Sequence, residues 1–367
     1  MIVLRQAVME ATNGRIDYFL TNSNFPKFAS FAFEFPMNEN IAAMFGDDDK
    51  GFFDEGMRNY LESTFSKDNF QNYNDSYLNY NDLFMAFVMK INLKTNKKNH
   101  FPVKQKISFD KKSKRKYYSN SGILICRGDT LAVTFKLLGS VYVKDGGHDH
   151  DDCGSFQIMK NNQIITGDVG GGIYYEGNWK DRFNRPIFNS YSHPVPVIDG
   201  QLQIRSIIYY KLIENQFRDV TGDNKDLLLP KVLKTNFSNE FDEITFDLKA
   251  AYNCSSLLSL NRTNIFKREF GKNQVIIIDN AEFTKPTKFE IAIATRGNIY
   301  GLSKKGIQTL SGNIMFQNNT LQFIVTSYIN SFKYKIEKQS MNGISFERLG
   351  IFVNDPVKTA KITVLYF

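Results

Sequence analysis

The amino-acid sequence predicts a mainly β protein: a large antiparallel two-sheet β-sandwich preceded by a short α-helical lead-in. Three observations carry that expectation. From Tyr117 onward, short apolar runs recur between turn signals, with almost no helical period among them. Period-two alternation is clear in LQIRSIIYYKL (residues 202–212) and ITFDLKA (residues 244–250). The composition also leans towards strands, with 33 Phe and 18 Tyr making 14% of the chain aromatic.

The elements can be taken in chain order. LRQAVMEA (4–11), FFDEGMRNYLESTF (52–65) and YNDLFMAFVMKI (80–91) place apolar residues three and four apart, the spacing of amphipathic helices. Residues 1–95 therefore form the helical lead-in, and the polar, Lys-rich residues 96–116 form a basic connector. The sandwich then occupies residues 117–367. Its expected strands begin with SGILICRG (121–128) and TLAVTFKLLGSV (130–141). GSFQIMKNNQIITGD (154–168) reads as a hairpin turning at Asn161-Asn162. QLQIRSIIYYKLIE (201–214), DEITFDLKAAY (242–252), NQVIIIDNAEF (273–283) and KFEIAIATRG (288–297) follow, then NTLQFIVTSYI (319–329), FKYKIEK (332–338) and AKITVLYF (360–367). So many strands without alternating helices argue against a βαβ fold.

With 367 residues, the chain can bury a large core and hold two structural regions. The net charge is +8, concentrated in KTNKKNH (94–100) and FDKKSKRKYY (109–118). A basic surface favours polyanions, whether nucleic acid, anionic lipid or acidic polysaccharide, although a Lys-rich linker is also an ordinary solvated segment. The three cysteines, Cys126, Cys153 and Cys254, have no CxxC spacing, which excludes a disulfide framework or a thiolate zinc site. No apolar run reaches 18 residues, so no transmembrane helix is expected. MIVLRQAVMEATNGR lacks a basic segment followed by an apolar core, so no secretory signal is expected either.

Chemistry concentrates between His148 and His193. Three of the four histidines lie there, with Asp168 between them. On a strand, residues i and i+2 share a face, so His148 and His150 can point the same way. The hairpin after them can return Asp168 to the level of His150, and His193 can arrive from the next excursion. Two histidines at i and i+2, a later Asp and a later His make a plausible ligand set for a divalent transition metal, against the alternative of scattered polar residues. An EF-hand reading of Asp149, Asp151 and Cys153 fails, because Cys153 replaces an oxygen ligand and Lys160 stands at the twelfth position. HExxH, GxSxG and GxxxxGK[ST] are all absent.

The segment GHDHDDCGSF (147–156) resembles the HNHNDxGSF signature of heparinase II/III-like polysaccharide lyases. Asp168-Val169-Gly170 matches the later D-x-G, and His193 through Ile198 and Gly200 matches an H-N-x-x-x-I-x-G segment with Pro194 in place of the Asn. FGDDDKG (45–51) is similar to the family's GDxDxG linker, and YYSNSGILICRG (117–128) to its first sandwich strand. Arg262 followed by VIIIDNAEF (275–283) resembles its arginine, hydrophobic strand and Asp. Together these segments span roughly residues 40–285 in the family's order.

The resemblance implies an N-terminal α/α toroid joined to a C-terminal sandwich, and β-elimination of uronic-acid polysaccharides, a lyase reaction of carbohydrate metabolism acting on glycosaminoglycan-like or other uronate polymers. It makes His150, Asp168 and His193 the ligands of a divalent metal, zinc in the family, and His148 a catalytic or carboxylate-neutralising histidine. The implied partner is an acidic polysaccharide rather than nucleic acid, and related lyases are commonly periplasmic. The toroid's catalytic Tyr and its Asn or His have no counterpart before FGDDDKG, and IDYFLTNS around Tyr18 does not match. The helical lead-in is therefore expected to be the end of a toroid, its remainder lost or on a separate polypeptide. The alternatives are an acidic-glycan-binding module without catalysis and a metal-stabilised structural module. Asp152 is expected to orient the loop rather than to bind metal. Trp179, Lys180, Arg182 and Arg185, on the excursion between Asp168 and His193, can hold a sugar ring and its carboxylate, or can be ordinary surface residues. His100 reads as a surface histidine.

Overall fold

The computed structural model of the chain describes residues 8, 11–12, 15–16, 31, 34–38, 41–45, 113–139, 150–171, 185–204, 229–341 and 343–367. Two compact units divide it: Met1–Ala42 with Phe52–Ser113, and Ala43–Gly51 with Lys114–Phe367. The three segments expected as amphipathic helices lie almost wholly outside the described residues, so the helical lead-in is not shown. Most of QLQIRSIIYYKLIE also lies outside them, from residue 205 on.

Among the described residues of the second unit, every strand pairing is antiparallel. Its first sheet runs β1 (Arg115–Tyr118), β2 (Ile123–Arg127), β3 (Leu131–Lys136), β4 (Phe156–Lys160) and β5 (Gln163–Gly167), each strand paired with the next. The largest sheet has eight strands. Along it lie β12 (Asn298–Lys305), β13 (Thr309–Phe316), β14 (Asn319–Ser327), β17 (Val357–Tyr366), β10 (Gln274–Thr287), β9 (Leu257–Lys267), β8 (Phe241–Asp247) and β7 (Lys231–Phe237). A four-stranded sheet completes the unit in the order β15 (Phe332–Met341), β16 (Ile344–Val353), β11 (Phe289–Thr295) and β6 (Val197–Ile198).

The expected two-sheet sandwich is roughly present, with its strands divided among three sheets for a local reason. Only the start of β11 pairs with β6, leaving the rest of its edge to face β5. There side chains replace a backbone ladder: Thr166 Oγ1 donates to the Ala294 carbonyl at 2.8 Å, and Thr295 Oγ1 to that of Ile165 at 2.5 Å. One continuous apolar core joins all three sheets, including Val133 and Phe156, Phe246 and Ile277, and Ile293 and Leu349. Alternation builds part of it, as β8 buries Asp242, Ile244 and Phe246 and leaves the residues between them half-exposed, whereas β3 is buried along its whole length.

The hairpin at Asn161-Asn162 is present. Both residues have positive φ (47° and 60°), and Lys160 pairs with Gln163 across a two-residue loop, the type I′ arrangement that matches strand twist. Among the described residues no helix is long and apolar enough to cross a membrane.

Candidate metal centre

Three loops of the sandwich unit bring together His150, Asp168 and His193. One ligand atom from each lies within 4.8 Å of the others, and all three residues are buried. The expected ligands therefore converge, although not all by the expected route. His150 does not sit on a strand. Residues 150–155 form a loop ahead of β4, turning at Gly154 with φ +82°, so the i, i+2 face argument does not place His150. At Gly154 a Cβ would meet Leu248 Cδ1 at 2.7 Å. Glycine is required there both by the left-handed backbone and by the close packing.

Asp168 arrives as the hairpin predicts. Its N–H donates to the Phe156 carbonyl at 2.7 Å, which returns it to the level where β4 begins. Gly167 just before it has φ +115°, and a Cβ there would lie 2.0 Å from the Phe156 carbonyl oxygen. The Asp168 carboxylate accepts from Ser155 Oγ at 3.2 Å and from the Gly170 N–H at 2.8 Å. His193 follows a 3-10 turn, Ser190–Ser192, which is capped by Asn189 accepting the Tyr191 N–H at 2.9 Å. The His150 ring packs edge-on to Phe188 and tilts against His193, with centroids 5.3 and 5.1 Å apart.

The arrangement fits a metal ion. His193 Nδ1 lies 3.0 Å from Asp168 Oδ1, yet neither nitrogen of the buried His193 ring makes a hydrogen bond among the described residues. An imidazole and a carboxylate facing one another at hydrogen-bond distance without hydrogen-bond geometry suit two ligands of one ion. Tetrahedral zinc with bonds near 2.0–2.1 Å spaces its ligands about 3.3 Å apart. Charge points the same way. Asp152 and Asp168 are both buried beside the buried Lys136, whose ammonium donates to Asp152. Burial pushes the Asp152 carboxyl up to about 7, with Asp168 adding to the rise against the pull of Lys136 and His193. Burial would also raise Asp168, but His193 and Lys136 prevail and hold it well below the usual carboxylate range. Conversely, Asp168 and Asp152 lift His193 above its ordinary value against the effect of burial. A dication bound to neutral His193 would take over the positive charge that the imidazolium otherwise brings to the second carboxylate.

Asp152 sits beside the trio, with Oδ2 3.9 Å from His193 Nδ1. Arg185 is half-buried, and its carbonyl accepts the Phe188 and Asn189 N–H groups at 3.1 and 3.3 Å, opening the turn that leads to His193. His148, Trp179, Lys180 and Arg182 lie outside the described residues.

Several supporting residues escaped sequence reasoning. Gln157 Nε2 donates to the carbonyls of both Met44 (3.0 Å) and Asp168 (2.6 Å), while its Oε1 accepts the Met44 N–H at 2.5 Å. Gln203 grips the Cys153 peptide, accepting its N–H at 2.7 Å and donating to its carbonyl at 2.9 Å. The Lys136 ammonium also lies 4.5 Å from the centre of the Phe45 ring. The available signal was a polar residue inside an otherwise apolar run, as with Gln157 in FQIMK, and by itself it names no partner.

No family model matches the sequence, and no curated protein matches it. Solved structures do. Heparan sulfate lyase HepC from Pedobacter heparinus matches 100% of this chain and 50% of its own, at a TM-score of 0.60 and 13% identity. A heparinase III gene product matches 97% of this chain and 47% of its own, at 0.59 and 12% identity. A further heparinase III matches 94% and 49%, at 0.55 and 14% identity. The chain is thus similar in fold to heparin and heparan sulfate lyases, and spans about half the length of the solved structures it matches.

Proposed function

We propose that this chain is the metal-braced sandwich part of a polysaccharide lyase that breaks uronic-acid polymers by β-elimination. The observation that carries the reading is the convergence of His150, Asp168 and His193 from three separate loops of a lyase-like sandwich. One divalent ion, zinc in this reading, would be held by an imidazole nitrogen from each histidine and by the Asp168 carboxylate. When bound, it contributes positive charge and cross-links the three loops. Because the three ligands are buried, at 0%, 2% and 0% exposure, the ion acts as a brace rather than as a substrate-activating centre.

Elimination requires removal of a proton beside a carboxylate, neutralisation of the charge that develops there, and protonation of the leaving oxygen. His148, two residues before a ligand, is assigned the charge-neutralising or proton-transferring role. Trp179, Arg182 and Arg185 are assigned to the sugar and its carboxylate. The net charge of +8 favours an acidic polymer.

The test is ultraviolet absorbance of the purified chain incubated with a panel of uronic-acid polysaccharides. The expected result is a rise from unsaturated uronide that His148→Ala abolishes. No rise with any polymer would remove elimination by this chain. Retention on an acidic glycan that weakens steeply with salt would then identify a binding module instead.

A further inference from the structure

Arg262 and Asp279 face each other across β9 and β10 as register partners. Both occupy the inward phase of strands that otherwise bury Leu260, Phe266, Ile277 and Ala281, and both are almost fully buried. The pair is a fork: Arg262 Nε donates to Asp279 Oδ1 and Nη2 to Oδ2, each at 2.8 Å. The remaining nitrogen serves neither strand. Nη1 donates to the Gly154 carbonyl at 2.9 Å and to the Pro194 carbonyl at 2.5 Å. Four of the five N–H donors of a guanidinium are thereby used, two on each side.

Those two carbonyls belong to the loops that carry the metal candidates. Gly154 lies between Asp152 and Ser155, whose hydroxyl reaches Asp168, and Pro194 directly follows His193. Irregular backbone buried in a core must find donors for its carbonyls, and here one guanidinium supplies two loops at once. Asp279 neutralises the charge that would otherwise make this burial prohibitive.

We infer that Arg262, held by Asp279, is a positioning residue that sets metal affinity by fixing the His150–Ser155 loop against the His193 loop. The inference rests on the metal reading above. It also makes a sharper claim than structural support. Lysine keeps the charge but has no planar fork, so it cannot grip the carboxylate through two parallel bonds and bridge two carbonyls as well.

The experiment measures zinc dissociation constants, by competition with a chromogenic chelator, for the full chain and for Arg262→Lys, Asp279→Asn and Asp242→Asn. Asp242 is a buried carboxylate paired with Arg115 and Arg268, and those arginines also donate to the carbonyls of Ser238, Arg127 and Lys114. The metal-free melting temperature is recorded for each. Arg262→Lys and Asp279→Asn are expected to weaken zinc binding by about tenfold or more, as loss of groups that orient ligands typically does. Asp242→Asn is expected to lower the melting temperature and keep the parent affinity. Should Arg262→Lys fail to fold, Asp279→Asn carries the same prediction. Parent-like zinc affinity in a folded Arg262→Lys or Asp279→Asn protein would overturn the inference. So would an affinity loss in all three variants that simply follows their loss of stability. A parent chain that binds no zinc would overturn the metal reading itself, and the inference with it, and that result is read before any variant is compared.

Discussion

At the residue scale, the candidate centre is a balance of buried charges. Asp152, Asp168, Lys136 and His193 share a space that water does not reach, so each group's protonation depends on the others. This yields a pH prediction with a definite sign. In metal-free protein His193 is held above its ordinary value, so its pairing with Asp168 contributes stability that is fully present below about pH 6.5. That contribution is lost as the pH rises through the raised folded value. Metal binding has the opposite dependence, because ligating imidazoles must be neutral. The melting-temperature difference between zinc-loaded and chelated protein is therefore expected to widen from about pH 5.5 to about pH 7.5. A constant or shrinking gap would argue for an ion pair in place of a metal. The grouping of His150, Asp168 and His193 was expected from histidines that are rare and clustered, and from the family resemblance, which chose His150 over His148. Lys136 and Gln157 were not legible. Their strands read as ordinary sandwich strands, and only the fold brings Asp152, Met44 and Asp168 to their side chains.

At the element scale, the β4–β5 hairpin delivers Asp168. Asn161-Asn162 was readable as its turn because both residues tolerate positive φ. The exit at Gly167 is more demanding, since its φ is +115° and the Phe156 carbonyl leaves no room for a Cβ. Gly167→Ala is expected to cost about 2–4 kcal/mol, combining backbone strain with overpacking. Urea unfolding of the metal-free protein measures it, and a cost near zero would mean that Asp168 can be presented from another backbone conformation. Most of the expected strands were present where the alternation placed them. The loop from His150 to Ser155 could not be told from a strand by spacing, because its shape depends on Gly154 packing against Leu248 and on Gln203 gripping Cys153. The same applies to β6, whose two residues pair with β11 only after a long excursion.

At the scale of the whole molecule, the mainly β class was legible from periodicity, whereas the division into three sheets was not. It arises where β5 and β11 meet through threonine side chains, a detail that no pattern of apolar residues encodes. Arg262 links these scales, since a single side chain in the eight-stranded sheet holds loops leading to two different ligands. A metal there would cross-link segments far apart in sequence and would favour the folded chain. Zinc at a hundred times its dissociation constant adds about 2.7 kcal/mol to stability. Removing it with a chelator is therefore expected to lower the melting temperature by roughly 5 °C or more. A melting curve indifferent to chelator would remove the bracing role.

The most direct measurement is elemental analysis of the purified chain beside its His150→Ala and His193→Ala variants, each first confirmed folded by circular dichroism. One transition-metal ion per chain is predicted in the parent, with at least a tenfold smaller content in each variant after dialysis against a weak chelator. A parent chain without metal, or variants that retain the parent's content, would contradict the assignment of His150, Asp168 and His193 as a metal centre.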